Sequence, residues 1–159
     1  MNLKKVYIFY FLIISLALIN TSTFASSIEF ISKLTSDASN VLASTENKDQ
    51  KMQKLIVLAE KNVDIKGIGL YSLGKYRKSL SNSQTEEYDA LFRRYFLKSF
   101  SSRLSEYTNP EIDVLSKKVL SENYTIVNSV LRGTTERPEI KIDWRIYTKN
   151  KDNPLIRDL

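Results

Sequence analysis

The sequence contains no cysteine and no histidine. The first absence excludes disulfides, so packing alone must hold the fold. It also excludes a lipid anchor on an N-terminal cysteine. The second absence removes the commonest general base, the commonest zinc ligand and the imidazole on which the serine and cysteine triads depend. There is no internal repeat, no low-complexity segment and no run of five basic residues. A phosphate-cradling loop is missing too, because Gly67-x-Gly69 lacks both a third glycine and a preceding strand. Glu86-Glu87 is no substitute for a catalytic carboxylate pair. Neighbouring helical residues do not face each other, and acids are favoured in a first helical turn for dipole reasons. Asn123-Tyr124-Thr125 matches a glycosylation pattern by chance, and Asp143 with Arg145 reads as a surface ion pair. No catalytic residue, metal site or cofactor is expected, and the chain does not read as an enzyme.

What is present begins with a targeting signal. Lys4 and Lys5 precede an unbroken apolar run from Val6 to Ile19, a polar stretch follows, and Thr23-Phe24-Ala25 forms a small-x-small cleavage site. The alternative is a membrane anchor. Fourteen helical residues at about 1.5 Å each would span only about 21 Å of a hydrocarbon core about 30 Å thick. Residues 1–25 therefore read as a cleavable signal peptide and 26–159 as one exported domain. The 134 residues that remain lose Lys4 and Lys5, which lowers the net charge from +6 to +4. That length suffices for one domain with a core. The charge is far below that of a nucleic-acid-binding tail, and no nucleic acid is expected as a partner.

The exported part changes period midway. Ile28, Ile31, Leu34, Ala38, Val41 and Leu42 recur at helical spacing, and Met52, Leu55, Ile56 and Ala59 do so after a polar break at Thr45–Asp49. Val63–Leu80 reads as helix interrupted by Gly67, Gly69 and Gly74, which imply a bend or the close approach of another backbone. Ser83-Gln84-Thr85-Glu86 fits a capping box that opens a long helix, closed by Asn109-Pro110. Along it, Tyr88, Leu91, Phe92, Tyr95, Phe96 and Phe100 form an aromatic-rich face. Such a face either fills a core or lines a ligand cavity, since both use the same residue types.

Strands follow. Ile112, Val114, Val119 and Leu120 suggest the first, Tyr124–Leu131 the second, and Arg132–Thr135 a turn. Ile140, Ile142, Trp144 and Ile146 alternate with Lys141, Asp143 and Arg145, the pattern of a half-buried antiparallel strand. Thr148–Asn153 is a hairpin loop, and Leu155 with Ile156 starts a last strand. Helices first and strands after predict an α+β fold, with N-terminal helices packed on one face of a C-terminal antiparallel sheet.

Three stretches carry a resemblance. Leu73-Gly74-Lys75-Tyr76-Arg77 is similar to a Gly-basic-Tyr segment of the MlaC-type periplasmic phospholipid-binding proteins, also called the toluene-tolerance family. Gln84, Tyr88, Phe92 and Tyr95 are similar to that family's glutamine-led aromatic helix. Ile142-Asp143-Trp144-Arg145-Ile146, a polar loop and Ile156-Arg157-Asp158 resemble its last hairpin. The resemblance implies a periplasmic carrier with an apolar cavity between helices and sheet, which holds a glycerophospholipid by its acyl chains. It implies exchange between an outer-membrane lipoprotein complex and an inner-membrane ABC transporter complex, in maintenance of outer-membrane lipid asymmetry. Tyr71, Tyr76, Phe92, Phe96, Val130, Ile142 and Trp144 are the candidate pocket-lining residues. The reading of a different class is an exported structural or interaction domain with a solid core and no ligand. Members of the family continue past the last motif with a further strand segment and a helix, whereas this chain ends at Leu159. The resemblance therefore implies a C-terminally truncated domain, with Leu155, Ile156 and Leu159 left as a ragged apolar edge and folding impaired. Sequencing the N-terminus of protein from a periplasmic fraction should find Ser26 first. Intact Met1 in the membrane fraction would show an anchor instead.

Overall fold

The computed structural model describes residues 27–150 and 152–159. The targeting segment and cleavage site expected over residues 1–25 lie outside the described residues. Among the described residues four α-helices come first: α1 (Ser27–Ala43), α2 (Lys48–Asn62), α3 (Ile65–Ser72) and α4 (Asn82–Leu104). Four strands follow: β1 (Ile112–Ser121), β2 (Tyr124–Leu131), β3 (Ile140–Tyr147) and β4 (Leu155–Asp158). The sheet is an antiparallel meander in the order β1-β2-β3-β4. The expected α+β class, with helices on one face of this sheet and an apolar cavity between, is what the structure shows. Among the described residues no helix is long and apolar enough to cross a membrane.

Local chemistry sets the helix boundaries. The long helix opens two residues earlier than expected. Ser81 is its N-cap, accepting from the Gln84 amide at 3.2 Å, while Gln84 Oε1 accepts from the Ser81 amide at 2.9 Å. Ser81 and Ser83 begin overlapping Ser-x-x-Gln/Glu patterns, and the earlier one adds helical hydrogen bonds at no loss of capping. The helix also ends earlier, at Leu104, and Asn109 takes a left-handed φ of 52° just before Pro110. A second capping box, Asn47 with Gln50, opens α2 inside the stretch expected to be a polar break.

The glycines of the interrupted segment have separate reasons. At Gly69 a Cβ would lie 2.8 Å from Cδ1 of Phe92, so α3 approaches α4 more closely than any side chain would permit. Gly74 takes φ +54° and turns the chain out of α3 into a short 3-10 helix, Gly74–Lys78.

Two apolar clusters form the core. Ile31 of α1 joins Val127, Ile146 and Ile156 from the sheet. Ala59, Ile65 and Leu97 join the other three helices, with Phe92, Phe96 and Phe100 packed against them. Val63, between α2 and α3, packs against both. Val63 also forms a parallel bridge to Ile156, and the Asp64 amide donates to the Ile156 carbonyl at 2.8 Å. Asp64 then uses both carboxylate oxygens. One caps α3 by accepting from the Gly67 amide at 3.0 Å, and the other accepts from Arg157 Nε at 2.5 Å. The outer edge of β4 is thereby covered at Ile156, which is only 2% exposed, whereas Leu159 is 62% exposed, as expected of a ragged end.

Replacing Asp64 tests this tie. Asp64→Ala removes the cap and leaves Arg157 without its carboxylate, a loss of about 2–4 kcal/mol in urea unfolding. Asp64→Asn keeps the cap and should lose roughly half as much. A change below about 0.5 kcal/mol for both would show the tie to be incidental.

Candidate functional site

Between the two clusters lies a cavity of about 420 Å³, walled by both layers. From α1 come Leu34, Ala38 and Leu42, four residues apart on one face. Phe96, Phe100 and Leu104 of α4 repeat the same interval on the opposite wall. The sheet supplies Leu131 of β2 and the alternating Ile140, Ile142 and Trp144 of β3, while Ile156 closes one end. Helix α1 packs against β1 and β2, and α3 against β4, whereas α4 packs on α2 and α3 and faces the sheet across the cavity. The aromatic face of α4 stiffens that wall. Tyr88, Phe92, Phe96 and Phe100 stack in succession, with ring centroids 5.7, 6.1 and 5.7 Å apart. Of the apolar lining residues, Ile140 and Leu159 are 41% and 62% exposed and mark where the cavity meets solvent.

Several polar groups in the lining are already engaged. Thr35 Oγ1 donates to the Ile31 carbonyl and Ser39 Oγ to the Pro110 carbonyl, both at 2.9 Å. Trp144 Nε1 donates to Ser129 Oγ at 2.7 Å, so its indole shows the cavity a hydrocarbon face. Arg157 is the one cation in the lining among the described residues. It donates to Asp64 and, at 2.7 Å, to the Tyr124 hydroxyl, with its guanidinium carbon 3.5 Å from the centroid of the Tyr147 ring. Burial works against its charge, but the hydrogen bonds to Tyr124 and Asp64 outweigh it and raise the guanidinium pKa above its ordinary value. Such a surface offers dispersion contact and release of apolar surface from water, with few groups that would hold a polar ligand in register. Among the described residues no cluster of acidic side chains fit to bind a metal occurs.

Of the residues singled out in the sequence, Phe96, Ile142 and Trp144 line this cavity. The other four do not. Tyr71 lies two residues past the inward Gly69, about 200° around the helix, and is 78% exposed. Tyr76, on the 3-10 turn, is 62% exposed. Phe92 is spent against Gly69 and the Ala59–Ile65–Leu97 cluster. Val130 is paired with Asp113 and Lys141, and therefore points to the outer face of the sheet. The inward residues of β2 are Thr125, Val127, Ser129 and Leu131, in register with Ile146, Trp144, Ile142 and Ile140. Tyr124–Leu131 has apolar residues at both parities, so alternation alone does not choose the face. Asp143 accepts from Asn128 Nδ2 at 2.7 Å, not from the expected Arg145, which lies over the Tyr124 ring. Leu34, Ala38, Leu42 and Phe100 were visible as helix faces, but wall and core share one periodicity.

The model of one protein family, described as MlaC protein, matches residues 29–159. No curated protein matches the chain. Among solved structures, it is similar to the phospholipid-binding protein from Ralstonia solanacearum in complex with a phospholipid. The TM-score is 0.65 at 12% identity, covering 83% of this chain and 74% of that one.

Proposed function

The chain belongs to the MlaC family, and we propose that it is a non-enzymatic periplasmic carrier that holds a glycerophospholipid by its acyl chains in the helix–sheet cavity. The observation that carries this reading is the lining itself. Apolar side chains from both layers surround about 420 Å³, and the Thr35 and Ser39 hydroxyls and the Trp144 indole among them bond to the protein. That volume falls within the range of about 300–1,000 Å³ usual for ligand pockets. A protein of the same fold is described as in complex with a phospholipid, which supports the same class of cargo here.

The physics of the task fits a cavity of this kind. Two acyl chains hold about 30 methylenes, and at about 0.8 kcal/mol each their exposure to water costs roughly 25 kcal/mol. A carrier must shield most of that surface while binding little more tightly than a bilayer, so that it can unload. Non-directional apolar contact does this, whereas a buried charge pair on the headgroup would hold the lipid back. In this reading the donor and acceptor are the outer-membrane lipoprotein complex and the inner-membrane ABC transporter complex, and the chain crosses the space between them with its cargo.

Organic extraction of the purified protein followed by mass spectrometry should release glycerophospholipid in near-stoichiometric amount. Trp144 is the chain's one tryptophan and lines the cavity, so a brominated acyl chain should quench its fluorescence. Ala38→Trp fills the space from α1 without removing a core side chain, and should lower bound lipid at least tenfold with little change in thermal midpoint. Extracts free of lipid, with no quenching, would contradict a lipid cargo and favour an exported interaction domain that carries no ligand.

A further inference from the structure

The basic-tyrosine segment noticed in the sequence has no part in the cavity. The turn Gly74–Lys78 is held by its own backbone, with the Tyr76 amide donating to the Leu73 carbonyl at 3.1 Å and the Ser79 amide to the Tyr76 carbonyl at 2.9 Å. Its side chains all face solvent, as does Tyr71 just before it. Lys75, Arg77 and Lys78 enter no ion pair among the described residues. Lys75 Nζ lies 5.4 Å from the centroid of the Tyr76 ring. Two exposed tyrosines beside three unneutralised cations are not explained by folding, since none of the five side chains is buried.

The chemistry matches a phospholipid surface. A tyrosine places an apolar ring and a phenol at the headgroup boundary, and a lysine or arginine near an anionic surface contributes additional attraction. We propose that Tyr71, Lys75, Tyr76, Arg77 and Lys78 form a docking surface for the anionic headgroup layer of a membrane. Ile68, three residues before Tyr71, lines the cavity, so docking here would bring the α3 wall of the cavity to the lipid surface. The proposal concerns the surface and does not depend on what the cavity holds.

Co-sedimentation of the purified exported protein, residues 26–159, with vesicles tests it. Vesicles of phosphatidylcholine are compared with vesicles in which about one lipid in three is phosphatidylglycerol. The unmodified protein should partition onto the anionic vesicles preferentially, and salt should release it. The triple variant Lys75→Ser/Arg77→Ser/Lys78→Ser should partition about a hundredfold less, with an unchanged thermal midpoint. Tyr71→Ser/Tyr76→Ser should weaken partition while leaving its salt dependence. Ala38→Trp, with the cavity filled, should sediment like the parent, which separates docking from cargo uptake. Equal partition onto both vesicle types, insensitivity to salt, or a triple variant that sediments like the parent overturns the proposal. A patch made for an acidic protein would also ignore the vesicles, and that outcome counts against it.

Discussion

The link between the Val63–Asp64 corner and β4 is the constraint on which the architecture turns. Helices α2 and α3 meet there, and two backbone contacts with one ion pair join them to a strand more than ninety positions along the chain. Helix α1 anchors the opposite side by packing on β1 and β2. Between these two moorings α4 is held off the sheet. Its stacked rings reach the helical cluster on one side and the cavity on the other. The cavity is thus the space left by a helical layer attached along its two flanks.

A space of this size is unusual in a protein interior, which packs as densely as an organic crystal. Were about 420 Å³ sealed and empty, a cost of about 24 cal/mol per Å³ would give roughly 10 kcal/mol. That is comparable to the whole stability of a typical domain. The cavity instead meets solvent at Ile140 and Leu159, and an apolar cargo entering it would release its lining from water. The same reasoning explains the polar atoms. A lining hydroxyl or indole left unpaired against acyl chains would cost about 1–3 kcal/mol, and Thr35, Ser39 and Trp144 each have a protein acceptor.

Much of this was legible in the sequence, and the gaps have physical causes. The alternation of Ile140–Ile146 located β3 to within one residue, because a strand with one wet face writes its parity plainly. Tyr124–Leu131 was located equally well, but its inward face was not, since Ser129 rather than Val130 turns inward to receive the Trp144 indole. The aromatic stripe of α4 was visible as a stripe. Its division between Phe92, which packs on Gly69, and Phe96, which reaches the cavity, depends on where α3 crosses it. Tyr71 and Tyr76 were counted among the pocket-lining candidates, yet both are exposed, the second on the turn that follows the left-handed Gly74. The pairing of Asp64 with Arg157 had no local signature at all, being a contact between two loop-and-edge residues far apart in the chain.

Hydrogen exchange on the delipidated and the phospholipid-loaded protein tests the central claim most directly, because amide protection reports how readily each segment opens. Loading should slow exchange in the cavity walls, residues 34–42 of α1 and 96–104 of α4. Exchange in β2, already paired on both sides, should hardly change. Protection that leaves both walls untouched, or that rises evenly over the whole chain, would contradict a cargo held between helices and sheet.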